Sequence, residues 1–147
     1  MPRATLFLDS SALVAGILSA QGAARALLLL AEVGVIALVV SEQVIAETER
    51  AIARKVPRAL PDLRRAIRRT GLRIVRDPSP AQVSAGQHYI AHPPDVPILL
   101  AAMQAGVDYL VTLNRKHFID DPHVAASSGL RIGTPGDALA WVRGLLG

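Results

Sequence analysis

Short apolar runs alternate with longer segments of helical periodicity along the whole chain. The apolar runs predict strands at residues 5–8, 35–40, 73–75, 109–112 and 130–132. Helices are predicted at residues 10–18, 23–33, 41–55, 61–69, 79–90, 95–105 and 134–146, and a loop at 119–128. Strands that alternate with helices predict an α/β domain, spanning residues 1–147, with a central parallel sheet and helices on both faces.

Polar side chains stand where these elements begin or end. Asp9 follows the first strand, and Asn114 follows the apolar run at 109–112. Asp95 is predicted to cap the helix that contains Pro97, and Gly106 to end that helix in a left-handed conformation. Because ligands bind at the carboxyl ends of parallel strands, these ends are the candidate site.

Composition narrows the class of protein. The sequence has no cysteine, which excludes disulfides and thiolate metal sites and suits a cytoplasmic location. The densest apolar region, 23–40, is interrupted by Arg25 and Glu32, so we expect no membrane span. A secretory signal would have to carry Asp9 inside its apolar part, and we reject it. The high apolar content, 51%, indicates surface that a partner covers.

Positive charge is concentrated in one segment. The formal net charge is +4, and residues 50–76 hold ten of the sixteen Lys and Arg residues. The predicted helix at 61–69 carries Arg64, Arg65, Arg68 and Arg69. Such a run can be a solvated helical face, but its density favours a polyanionic partner, and nucleic acid is the obvious one.

Four motifs occur in a characteristic order. They are L-D-S-S-A-L at 8–13, S-x-x-V-x-x-E at 41–47, D-x-P-I-L-x-A-A at 95–102 and G-V-D-Y-L-V-T-L-N-R-K-H-F at 106–118. With Asp9, Glu47, Asp95 and Asn114 in this order, the chain resembles the PIN-domain nuclease family from Leu6 to Phe118. The resemblance implies a three-layer α/β/α architecture with a cleft at the carboxyl ends of the first and fourth strands.

The resemblance also implies a metal site. Asp9, Glu47 and Asp95 would meet in one cleft, where uncompensated carboxylates raise one another's pKa and repel. A divalent cation removes that repulsion, and oxygen ligands without cysteine suit Mg²⁺ or Mn²⁺. Asn114 stands where many family members carry a fourth acid, and could assist as a neutral ligand. Ser10 and Thr112 are candidate supporting residues.

The function implied is that of a metal-dependent endoribonuclease. A metal-activated water would attack a phosphodiester bond of RNA, with Arg115 and Lys116 as further candidate phosphate contacts beside the arginines of 61–69. A lone domain of this kind resembles the toxin of a VapBC-like toxin–antitoxin pair, which implies an antitoxin partner and a homodimer. The alternative is an inactive PIN domain that binds RNA or protein, since Asn114 lacks the acid's charge.

Other chemistries fit less well. His88 and His92 have the i, i+4 spacing of a zinc peptidase helix, but Tyr89 stands where that pattern needs glutamate. A haloacid-dehalogenase-like phosphatase would need aspartate where Ser11 stands, and no phosphate-binding glycine–lysine loop occurs. His117 could contact substrate or cap the turn after the fourth strand.

Overall fold

The computed structural model describes residues 3–147 and contains a five-stranded sheet. Its strands are β1 (Ala4–Leu8), β2 (Ile36–Ser41), β3 (Arg73–Val75), β4 (Tyr109–Val111) and β5 (Arg131–Gly133). All neighbouring strands are parallel, in the order β3-β2-β1-β4-β5. β1 is central: Leu6 lies opposite Leu38 of β2 and Tyr109 of β4. The predicted parallel sheet is therefore confirmed.

Eight α-helices connect and cover the strands of this sheet within residues 3–147. They are α1 (Ser10–Leu18), α2 (Ala23–Glu32), α3 (Glu42–Lys55), α4 (Leu60–Thr70), α5 (Pro80–Ala85), α6 (Val96–Ala105), α7 (Pro122–Ser128) and α8 (Pro135–Leu146). Short 3₁₀ turns precede α4 and α6, at Pro57–Ala59 and Pro93–Asp95. A wider π-type turn, Arg115–Ile119, follows β4.

Both faces of the sheet are covered. Successive residues of a strand point to opposite faces, yet Leu6, Phe7 and Leu8 of β1 are each at most 2% exposed. The same is true of Val39 and Val40 in β2. A continuous run of buried residues is the pattern of a parallel sheet between two helical layers. The predicted three-layer α/β/α fold is confirmed.

Side-chain caps mark the starts of several helices. Ser41 accepts a hydrogen bond from Val44 N–H at the start of α3, and Ser79 and Thr134 form capping boxes for α5 and α8. Gly106 ends α6 with φ +67°, which a side chain would disfavour. Ser41 thus marks the start of α3 after β2, Gly106 marks the end of α6 before β4, and Thr134 marks the start of α8 after β5.

Two predicted segments differ from the structure. The predicted loop at 119–128 contains α7, because Asp121 accepts from His123 N–H and Pro122 occupies the first helical position. The helix predicted at 79–90 ends at Ala85. At Gly86 a Cβ atom would lie 2.8 Å from the Leu100 side chain of α6, so any other residue there would require Leu100 to shift.

Within residues 3–147, no single helix is long and apolar enough to span a membrane. The helices α1 and α2 meet those two criteria only when taken together, and they are bent by 86° relative to each other.

Candidate functional site

Asp9 lies at the carboxyl end of the central strand β1. Its backbone N–H continues the sheet by donating to the carbonyl of Val111, and its side chain is only 5% exposed. Oδ1 accepts from Ser10 N–H at 2.7 Å, while Oδ2 accepts from the Thr112 hydroxyl at 2.8 Å and the Ser11 hydroxyl at 3.2 Å. Burial raises the pKa of Asp9 above its ordinary value, although these donors partly oppose the shift.

Thr112 connects Asp9 to the end of β4. Its hydroxyl is fully buried, donates to Asp9 Oδ2, and accepts from Asn114 N–H at 3.0 Å. Ser10 supports Asp9 through its backbone N–H, since its own hydroxyl lies 3.5 Å from Oδ1. Ser11 was missed by the sequence reasoning: it contacts Asp9 Oδ2 and accepts from Leu113 N–H. Its position in the first turn of the helix after Asp9 was the available signal.

Glu47 is half-buried on α3. Burial raises its pKa, and the carboxylate of Asp9 raises it further; Asp95 adds a smaller contribution in the same direction. Asp95 likewise contributes to the raised pKa of Asp9. The charges of Asp9, Glu47 and Asp95 therefore interact in this fold, and a metal site shared by the three stays a prediction.

Asp95 ends the 3₁₀ turn Pro93–Asp95, directly before α6, and its side chain is 13% exposed. The prediction that its carboxylate caps α6 is wrong: its backbone is already helical, at φ −91° and ψ −11°, and it accepts no N–H of α6. Oδ2 instead lies 2.8 Å from His92 Nδ1 and 3.2 Å from His117 Nδ1.

Asn114 caps the π-type turn Arg115–Ile119. Its Oδ1 accepts from His117 N–H at 3.2 Å, and its Nδ2 lies 3.1 Å from His117 Nδ1. The amide oxygen thus already has one donor, and metal ligation by Asn114 stays a prediction. The imidazole of His117, rather than the amide of Asn114, is the group in contact with Asp95.

The histidines beside Asp95 form a stacked pair. The rings of His92 and His117 are 3.8 Å apart between centroids and nearly parallel, at 10°. The sequence reasoning did not join His92 to Asp95, although the His-x-x-Asp spacing within one turn was available as a signal. His88 takes no part, because its ring lies against Tyr89.

The basic residues fall into two groups. Arg64, Arg65, Arg68 and Arg69 are exposed on α4, which packs against α1, α2 and α3. Arg65 is paired with Asp62 at 2.7 Å, in an exposed salt bridge of little energetic weight. Arg115 and Lys116 are exposed at the start of the π-type turn, directly after Asn114 in the chain.

The charge environment of the carboxylates favours a divalent cation. Asp9 and Glu47 have pKa values raised by burial and by neighbouring negative charge, the condition that a bound cation relieves. Each carboxylate oxygen can accept more bonds than the protein supplies. The side chains that could hold the ion are Asp9, Glu47 and Asp95, and oxygen ligands suit Mg²⁺ or Mn²⁺.

Comparison with protein-family models identifies the family of the chain. A model described as PIN domain matches residues 5–116, which is more than half of the chain. The chain belongs to the PIN domain family. The matched range includes Asp9, Glu47, Asp95 and Asn114. The comparison with curated proteins found no match.

Solved structures share the fold of this PIN domain at low sequence identity. VapBC2 from Rickettsia felis, bound to a DNA fragment from its promoter, is similar with a TM-score of 0.63 and 18% identity, over 88% of this chain and 98% of that one. PAE2754 from Pyrobaculum aerophilum is similar with a TM-score of 0.65 and 17% identity, over 96% of this chain and 90% of that one. FitAcB from Neisseria gonorrhoeae is similar with a TM-score of 0.56 and 18% identity, over 89% of this chain and 98% of that one.

Proposed function

We propose that this PIN domain is a metal-dependent endoribonuclease that acts in the cytoplasm as the toxin of a VapBC-like toxin–antitoxin pair. The observation that carries the proposal is the mutual influence of the Asp9, Glu47 and Asp95 charges, which together with burial raises the pKa values of Asp9 and Glu47. Acids whose pKa values are raised by burial and by one another are typical of functional sites, which supports the proposal.

Each residue of the site has a role in this proposal. Asp9, Glu47 and Asp95 would hold one or two Mg²⁺ or Mn²⁺ ions, which lower the pKa of a bound water and neutralise charge on a phosphodiester. Thr112 and the N–H of Ser10 fix the Asp9 carboxylate in one orientation. His92 Nδ1 lies 2.8 Å from Asp95 Oδ2 and restricts the position of that carboxylate.

The surface suits the proposed partners. Exposed Arg115 and Lys116 follow Asn114 in the chain and would contact RNA phosphates, and the exposed arginines of α4 would add positive charge. Leu29 on α2 and Val33 at its end are 50% and 74% exposed. That apolar surface is what an antitoxin or a second copy of the chain would cover. The structural likeness to VapBC2 supports the choice of an antitoxin partner.

RNA cleavage by the purified protein tests the proposal. The parent should cut RNA in Mn²⁺ and not in EDTA, while Asp9→Asn and Asp95→Asn should lose cleavage and keep their circular dichroism spectra. Asp120→Asn is the matched control, because Asp120 is exposed and its side chain has no bond within residues 3–147. Cleavage by Asp9→Asn or Asp95→Asn at the parent rate refutes the assignment.

A second candidate function rests on Asn114. This position lacks an acid, and its amide oxygen already accepts from His117 N–H. The alternative is therefore an inactive PIN domain that binds RNA or a protein. A parent protein that binds Mn²⁺ and RNA without cutting, and that gains cleavage in Asn114→Asp, would favour this alternative.

A further inference from the structure

His92, Asp95 and His117 present three potential ligand atoms to one point. The two Nδ1 atoms lie 2.8 Å and 3.2 Å from the same carboxylate oxygen, Asp95 Oδ2. The side chains are 40%, 13% and 29% exposed in chain order, so an ion from solvent could reach them. Two imidazoles and a carboxylate on one centre are a recurrent protein ligand set for transition metals.

The spacing of these atoms is close to that of ligands on one ion. Zinc–nitrogen and zinc–oxygen bonds are about 2.0–2.2 Å, so two ligands of one tetrahedral ion lie roughly 3.3–3.6 Å apart. The nitrogen–oxygen distances of 2.8 Å and 3.2 Å are a few tenths of an ångström shorter. All three ligand atoms lie within 4.8 Å of one another. Small side-chain movements would therefore suffice to admit an ion.

His117 Nδ1 faces both Asn114 and Asp95. Because Asn114 Oδ1 accepts from His117 N–H, its Nδ2 is the atom facing His117 Nδ1, at 3.1 Å. That ring nitrogen also lies 3.2 Å from Asp95 Oδ2. In the tautomer whose Nδ1 accepts from Asn114 Nδ2, the nitrogen has a lone pair that an ion can take. A cation between Nδ1 and the carboxylate would attract both atoms.

We propose that His92, Asp95 and His117 bind one borderline divalent transition ion of the zinc class, in a site that shares Asp95 with the carboxylate cluster. Imidazole nitrogens favour Zn²⁺ or Co²⁺ over Mg²⁺, which prefers oxygen. The ion takes the lone pair of His117 Nδ1 in place of the Asn114 amide. The proposal goes beyond the nuclease function and does not require that the protein cleaves RNA.

Metal titration of the tag-free, full-length protein tests the site. Zn²⁺ should bind with one ion per chain at this site and compete with Co²⁺, whose visible absorption reports nitrogen ligation. His92→Gln and His117→Gln should each weaken Zn²⁺ at least about tenfold, since even second-shell changes cost that much. His88→Gln is the matched control: His88 is a nearby histidine whose ring contacts Tyr89 instead. Unchanged Zn²⁺ affinity in both His92→Gln and His117→Gln overturns the proposal.

A measurement on the unmutated protein tests the site without depending on whether the variants fold. In proton NMR spectra, substoichiometric Co²⁺ should shift the ring resonances of His92 and His117 and leave those of His88 and His123 in place. Equal shifts of all four histidines, or none, would overturn the proposal. Asp9→Asn should keep the Co²⁺ signature, because Asp9 is not a ligand of this ion. A parent that binds Co²⁺ but cuts no RNA would refute the nuclease function alone.

Discussion

Thr112→Val should destabilise the protein in a pH-dependent way. Valine has nearly the shape of threonine, so the fully buried site stays filled, but two hydrogen bonds are lost. One is the donation from the Thr112 hydroxyl to Asp9 Oδ2 at 2.8 Å, and the other is its acceptance from Asn114 N–H at 3.0 Å. A bond to a charged group contributes about 1.5–3 kcal/mol and a neutral one about 0.5–1.5 kcal/mol.

The expected loss is about 2–4 kcal/mol in the free energy of unfolding at pH 7.5, in metal-free buffer. In a protein of this size it corresponds to a Tm lower by about 4–16 °C. Burial already raises the pKa of Asp9 in the parent, and removing a donor to its carboxylate raises that pKa further.

The sign of the pH dependence follows from these two pKa values. Folding favours the protonated form of Asp9, so its contribution to parent stability falls as pH rises from the unfolded pKa through the raised folded pKa. In Thr112→Val this fall continues to a higher pH. The difference between parent and variant should be smallest below the parent's Asp9 pKa and should reach its full size above the variant's.

Urea unfolding followed by circular dichroism between pH 4 and pH 8 measures this difference. Thr48→Val is the matched control, because Thr48 is equally buried and its hydroxyl donates to the carbonyl of Val44 at 2.7 Å rather than to a carboxylate. Its cost should not change with pH. If Thr112→Val shows the same pH-independent cost as Thr48→Val, the account of Asp9 and its donors is wrong.

The remaining predictions concern charge. Glu47→Gln should raise the Tm in EDTA at pH 7.5, because the raised pKa of Glu47 means that its ionised form disfavours folding; an unchanged or lower Tm in thermal melting contradicts this. Replacing Arg64, Arg65, Arg68 and Arg69 together by Gln should flatten the salt dependence of RNA affinity, by about 0.7 in the log–log slope per lost phosphate contact. Fluorescence anisotropy measures this slope, and Arg143→Gln on α8 is the control. An unchanged slope in the fourfold variant would mean that the arginines of α4 form a solvated face. By calorimetry, Asn114→Asp should tighten Mn²⁺ and Asn114→Ala should loosen it, each by about tenfold or less; equal binding in all three proteins places Asn114 beyond the metal's reach.

Much of the fold follows from local sequence signals. The apolar run ending at Asp9 predicts a buried strand whose carboxyl end carries an acid, and caps such as Ser41 and Gly106 predict where helices begin and end. These signals act within a few residues, which is why the strands and most helices were predicted. The grouping of Asp9, Glu47 and Asp95 was instead implied by the resemblance to PIN domains, and their shared metal site stays a prediction. The helix after Asp121 had the same kind of signal, an acid cap followed by Pro122, and was overlooked.

Apart from the contact with His92, the surroundings of Asp95 could not be predicted in this way. An aspartate before a proline-containing helix is typically an N-cap, but the 3₁₀ turn Pro93–Asp95 sets a helical backbone there. Its carboxylate therefore contacts His92 and His117 instead of the helix N-terminus. The contact with His117 depends on how the π-type turn Arg115–Ile119 places that ring against His92, from a different element. No local pattern encodes a stack between two separate turns.

Cleavage of RNA by Glu47→Gln and Glu49→Gln tests the central claim most directly. Both variants lose one carboxylate on the same helix, but only Glu47 is half-buried beside Asp9, whereas Glu49 is exposed. The account predicts that, in Mn²⁺, Glu49→Gln cuts RNA at the parent rate and Glu47→Gln at least about a hundredfold more slowly, since that carboxylate helps to hold the ion. Equal rates in the two variants, or a folded, Mn²⁺-bound parent that leaves RNA intact, would contradict it.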